Sequence, residues 1–124
     1  MNIPSNLKYT RDHEWLKLEE DGTALVGITD YAQNALGDIV FVELPRLGAA
    51  QAGQQVSTIE SVKAVSDVLC PVNGEITAVN TTLETTPELL NTDPYGVWLF
   101  KLAQAEVGSL LSDTEYAKFL LEEV

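Results

Sequence analysis

The chain has 124 residues, 45% of them apolar, which is enough for one packed domain and leaves no room for a second. Nineteen Asp and Glu against seven Lys and Arg give a formal net charge of -12, so nucleic-acid backbones and anionic lipid surfaces are repelled and neither is expected as a partner. The single cysteine, Cys70, excludes an internal disulfide, a CxxC redox pair and a zinc knuckle, so any dithiol chemistry must come from a cofactor.

In chain order, the opening MNIPSNLKYT lacks the basic start and apolar stretch of a signal peptide, and no later run reaches the roughly 18 apolar residues of a membrane span. A cytoplasmic location is therefore expected. HEWLKLE reads as a strand, and Asp21-Gly22 marks a hairpin between residues 15–18 and 23–28. Thr29 is suited to cap a short helix in TDYAQNAL, where Ala32, Ala35 and Leu36 share a face and Gly37 supplies the stop. DIVFVEL, QVSTIESV, AVSDVL, GEITAV and VWLFKLA continue the β pattern, with Asn73-Gly74 separating two strands.

Thr86-Pro87 opens a brief turn through Leu90, because proline at a first helical position gives up no useful donor. Ser112 and Glu115 form a capping box for a last helix with Tyr116, Phe119 and Leu120 on one side. The C-terminal segment, about 104–123, is expected to be helical and packed on the β core. A faint echo between GDIVFV at 37–42 and GEITAV at 74–79 suits two similar half-sheets facing each other. The fold class predicted is mostly β, with two antiparallel sheets, short peripheral helices and a C-terminal helix in one domain over 1–124.

Residues 59–68 read as a mirror image about Lys63-Ala64: Val62 matches Val65, Ser61 matches Ser66, Glu60 faces Asp67 and Ile59 faces Val68. That symmetry predicts a tight hairpin with Lys63 at its tip, although Lys-Ala has no residue suited to positive φ and points to a distorted type I turn. No Gly-rich phosphate loop, metal-ligand cluster or nucleophile-base pair is recognisable, so no catalytic residue and no metal site is expected. His13 reads as a fold residue, Trp15 and Trp98 as core anchors, and Cys70, between Leu69 and Pro71, as inert packing.

The segment ESVKAVSD resembles the lipoyl-attachment sequence of glycine cleavage H proteins, whose ESVKA lysine carries lipoic acid through an amide. LKYTRDHEWL, VGITDYAQNALGDIVFVELP, PVNGEITAVN, PELLN and the DPYG turn are similar to further blocks of that family in the same order, so nearly the whole chain is covered. Gly53, Val56, Gly74 and Ile76 stand where lipoyl domains generally place glycine and apolar positions. Biotinyl domains share the fold but usually set methionine on both sides of the lysine, whereas here the neighbours are Val62 and Ala64.

The resemblance implies a barrel-sandwich hybrid of the lipoyl/biotinyl kind and a non-catalytic carrier that is the substrate of its partner enzymes. It implies Lys63 as the covalent lipoyl site, modified by a lipoate ligase or octanoyltransferase, with Glu14 and Asp67 as residues that dock the arm. An aminomethyl group would pass from glycine decarboxylase (P protein) to the aminomethyltransferase (T protein), and dihydrolipoyl dehydrogenase (L protein) would reoxidise the dithiol. The chain is expected to act as a monomer. Two rivals remain: an H-like protein that relays octanoyl or lipoyl groups to other enzymes, and an unmodified acidic interaction module. The chain departs from the family pattern at Tyr31, where many H proteins have histidine, at Ala35, where some have another, and in the shortened PYGVW segment.

Overall fold

The structure, a computed structural model, describes residues 2–122. Among the described residues, nine strands fall into two antiparallel sheets that enclose the main core, as the predicted fold class requires. In chain order they are β1 (Lys8–Tyr9), β2 (Glu14–Leu18), β3 (Ala24–Ile28), β4 (Ile39–Glu43), β5 (Gly48–Ala50), β6 (Gln55–Ser61), β7 (Val65–Leu69), β8 (Gly74–Val79) and β9 (Phe100–Ala103). One sheet runs β1-β2-β3-β9-β8-β5 and the other β4-β6-β7. The echoing segments at 37–42 and 74–79 thus supply β4 and β8, one to each sheet.

Local chemistry accounts for most of the connections. Gly22 turns the β2–β3 hairpin at φ 87, while the Asp21 carboxylate accepts from the backbone N–H and hydroxyl of Thr23. Thr29 caps α1 (Asp30–Leu36) by accepting from the Ala32 N–H, and Gly37 ends it at φ 78. Two four-residue helices follow β8, α2 (Thr82–Thr85) and α3 (Leu89–Thr92), each burying a leucine, Leu83 and Leu90, in the core. The PYGVW segment makes a tight turn in which the Gly96 N–H donates to the Asp93 carboxylate and the Tyr95 hydroxyl donates to the Asn2 carbonyl.

The last helix, α4 (Asp113–Glu122), begins at the predicted capping box: the Glu115 N–H donates to the Ser112 hydroxyl and the Ser112 N–H to the Glu115 carboxylate. The expected helical start near 104 is corrected to 113. Residues 104–112 are not helical, because Leu111 forms a β-bridge with Tyr9 through two backbone hydrogen bonds of 2.8 Å. Glu123, at the far end of the expected segment, lies outside the described residues.

The second core cluster lies on the β1–β2 side, where Tyr9 and Trp15 are cross-strand partners and share the face opposite Leu16. Tyr116 of α4 stacks on Tyr9 with ring centroids 4.8 Å apart, and Phe119 and Leu120 pack beside it. Trp15 is buried, as expected of an anchor, and its indole N–H donates to the Pro94 carbonyl; Trp98 is half-buried. None of the helices among the described residues is long and apolar enough to cross a membrane.

Candidate functional site

The β6–β7 hairpin carries Lys63 on an exposed tip, as expected, but in a different register. Glu60 pairs with Val65, Ile59 with Ser66 and Thr58 with Asp67, so the turn is centred on Val62-Lys63 and the expected facing of Glu60 and Asp67 does not occur. Ser61 decides this. Its N–H donates to the Ala64 carbonyl at 2.8 Å, and its hydroxyl accepts from the N–H groups of Lys63 at 3.3 Å and Ala64 at 3.0 Å. The hydroxyl takes over the work of closing the turn, and neither Val62 nor Lys63 needs a positive φ. The slip is two residues, so every side chain keeps its face: Ile59 and Val68 stay in the core while Glu60, Val65 and Asp67 stay in solvent.

The tip leans on the junction between α1 and β4. The Val62 N–H donates to the Asp38 carbonyl at 3.0 Å, and the Lys63 stem lies over Gly37 so closely that a Cβ there would sit 3.3 Å from Cε. Beside the tip, a cavity of about 250 Å³ is lined by the hairpin residues Ala64, Val65 and Ser66 and the α1 residues Tyr31, Ala32, Ala35 and Leu36, together with Asp12 and His13. The two departures Tyr31 and Ala35 are thus walls of one groove. His13, held at φ 66, stacks on Tyr31 at 4.4 Å between ring centroids, and its Nδ1 lies 2.8 Å from the Tyr116 hydroxyl, which is also 2.8 Å from Thr29 Oγ1.

Glu14 sits elsewhere. It is 2% exposed on the core-facing side of β2, where it accepts from the Thr10 hydroxyl at 2.8 Å and from the Leu69 N–H of β7 at 3.2 Å, tying the two sheets together. Burial pushes its carboxyl up to about 8, and the Thr10 and Leu69 hydrogen bonds oppose that only in part. It lines a separate cavity of about 200 Å³ with Thr10, Gly53, Cys70 and Leu110. Asp67 is exposed on the outer face of β7. Neither Lys63 nor Asp67 is among the walls of the Glu14 cavity, so the three residues expected to act together are not gathered around one cavity.

Cys70 is 1% exposed, its thiol pushed up by burial and donating to the Val72 carbonyl at 3.2 Å. Among the described residues, no group of three or more His, Cys, Asp or Glu side chains is placed to hold a metal ion. Sequence reasoning did not single out Asn91, Gly37 as a neighbour of the lysine, or Tyr116 as the partner of His13. The signal for the last was a buried tyrosine on the inner face of a capped helix, since a buried phenol needs a hydrogen-bond partner.

The family model described as Glycine cleavage H-protein matches residues 7–123. The chain is 58% identical over 123 residues to the glycine cleavage system H protein of Rubrobacter xylanophilus, covering 98% of this chain and 97% of that one. It is 57% identical over 121 residues to the protein of the same name from Neisseria meningitidis serogroup B, with 94% of each covered. A crystal structure of a glycine cleavage system H protein from Mycobacterium marinum superposes with a TM-score of 0.87 at 42% identity, covering 98% of this chain and 100% of that one. Extent, identity and fold agree from one end of the described chain to the other, and the chain belongs to the glycine cleavage H-protein family.

Proposed function

We propose that this chain is the lipoyl-bearing carrier of the glycine cleavage system, with Lys63 as the attachment residue. The observation that supports this most is the geometry of the tip: an exposed primary amine on a turn closed by Ser61 and braced on Asp38. In this reading a lipoate ligase or octanoyltransferase acylates Lys63, which removes its charge and turns its flexible stem into a tether. The lipoyl group supplies a cyclic disulfide that accepts the one-carbon unit and can be restored by oxidation. The chain itself catalyses nothing: it carries the aminomethyl group from the P protein to the T protein and is reoxidised by the L protein, as a monomer in the cytoplasm, with residues 1–124 acting as a single carrier domain. Tethering replaces a dilute encounter by a high local concentration at each successive enzyme.

The groove beside the tip suits a resting place for the arm, since Ala32, Ala35, Leu36 and Val65 offer apolar walls that exclude water. Glu14 and Asp67 are proposed to dock the arm. Glu14 is mostly neutral at pH 7, and an ammonium group brought beside it would favour the carboxylate and lower its pKa. The test is intact mass before and after treatment with lipoate, ATP and a lipoate ligase. The wild-type chain should gain the mass of lipoate less water, while Lys63→Arg should gain nothing and keep its circular dichroism spectrum. A folded wild-type chain that stays unmodified under a competent ligase would overturn the reading.

A further inference from the structure

The tip of the hairpin is not held by its own strands alone. Its Val62 N–H hangs on the Asp38 carbonyl, and residues 37 and 39 on either side of that carbonyl are gripped by one side chain from α3. The Asn91 amide accepts from the Ile39 N–H at 2.9 Å and donates to the Gly37 carbonyl at 2.8 Å and to the Gln33 side-chain carbonyl at 3.0 Å. The amide can be seated in only one sense, because its oxygen must meet a backbone N–H and its nitrogen two oxygens. Gln33 in turn donates to the Asp30 carboxylate, so the grip extends along α1.

We infer that Asn91, which is not among the walls of the groove, is a positioning residue for acylation of Lys63: it fixes the α1–β4 junction from which the lysine-bearing tip is suspended. The inference rests on the reading of Lys63 as the attachment residue. The same clamp sets the groove, since α1 supplies one wall and the hairpin the other. Gly37 makes the junction a weak point without it. It is at φ 78 and ψ -154, a conformation open to glycine, and carries no side chain to pin the backbone in place. Removing the clamp frees a flexible residue directly under the lysine stem.

The experiment compares the full-length wild type with Asn91→Ala in three measurements. With lipoate, ATP and a lipoate ligase, kcat/KM for modification of Lys63 should fall about ten-fold, carried by KM, because a displaced tip docks poorly on the enzyme. Acylation of Lys63 by a small reagent, N-hydroxysuccinimidyl acetate, should proceed at the wild-type rate, since the amine is exposed in either case. Hydrogen exchange at the Val62 N–H should speed up at least five-fold, while the buried strands keep their protection.

An unchanged KM overturns the inference, and so does a fall in reagent acylation equal to the fall in enzymatic acylation. A wild-type chain that no ligase modifies instead overturns the carrier reading, and the exchange measurement, which needs no ligase, tells the two failures apart. Should Asn91→Ala not fold, Val62→Pro deletes the N–H that meets Asp38 at an exposed turn position where proline is favoured. Measured against Val62→Ala, which keeps the N–H, it should show the same rise in KM, and equal KM values for the two would overturn the inference.

Discussion

Replacing Glu14 by Gln should abolish the loss of stability that this carboxyl imposes as pH rises. The native carboxyl titrates near 8, against an ordinary value of 4.5, because it is buried between the sheets with one hydroxyl and one N–H as donors. Between those two values the folded chain holds a proton that the unfolded chain releases, so stability falls as pH rises through this window and the loss is complete above the native value. A shift from 4.5 to about 8 corresponds to about 5 kcal/mol, an upper bound because local relaxation relieves part of it.

Glutamine cannot ionise, so Glu14→Gln removes this slope. At pH 5 the variant should be less stable by about 1 kcal/mol, because its amide keeps the Leu69 N–H but turns a donor toward the Thr10 hydroxyl, which already receives two backbone N–H groups. At pH 9 it should be the more stable by several kcal/mol, within the bound of about 5. Urea unfolding at half-unit steps from pH 5 to 9 gives both curves, which should cross. Parallel curves would refute the assignment of a proton to the buried carboxyl.

Two further substitutions probe the supports of the site. Gly27→Ala should cost about 2–4 kcal/mol in urea unfolding, because a Cβ would lie 2.5 Å from the Trp15 ring, which cannot shift without breaking its bond to Pro94. A loss under 0.5 kcal/mol would mean that the ring yields freely. Tyr116→Phe keeps the stack on Tyr9 but removes the hydroxyl between His13 and Thr29, and should lower stability by about 1–2 kcal/mol in the same assay. The nuclear magnetic resonance signals of the His13 ring should move with it, and an unmoved ring would contradict the contact.

What the sequence made legible was the chemistry that acts within a few residues. Thr29, Asp21-Gly22 and the Ser112–Glu115 box each satisfy backbone groups beside them, and each stands where expected. The hairpin register was not legible, because shifting by two residues leaves every side chain on its original face and hydrophobic pattern is blind to it. The choice fell to the Ser61 hydroxyl, a polar detail invisible to periodicity. β5 and α2 went unseen since GAA carries no pattern and TLET is a single turn, while residues 104–112 were overruled by a distant partner, Tyr9. For the burial of Glu14 a clue was present: alternation in EWLKL sets it on the face of Leu16.

The buried sulfur of Cys70 bears on self-protection. Thiol–disulfide exchange begins with a thiolate that can reach its target, and here the thiol is kept protonated by its surroundings and shut away from solvent. A strained cyclic disulfide sweeping across this molecule would meet no competent nucleophile of its own scaffold, because the chain has no second cysteine. Under the proposed function, a chain so built would pass through repeated loading, reduction and reoxidation without cross-linking its cargo to itself.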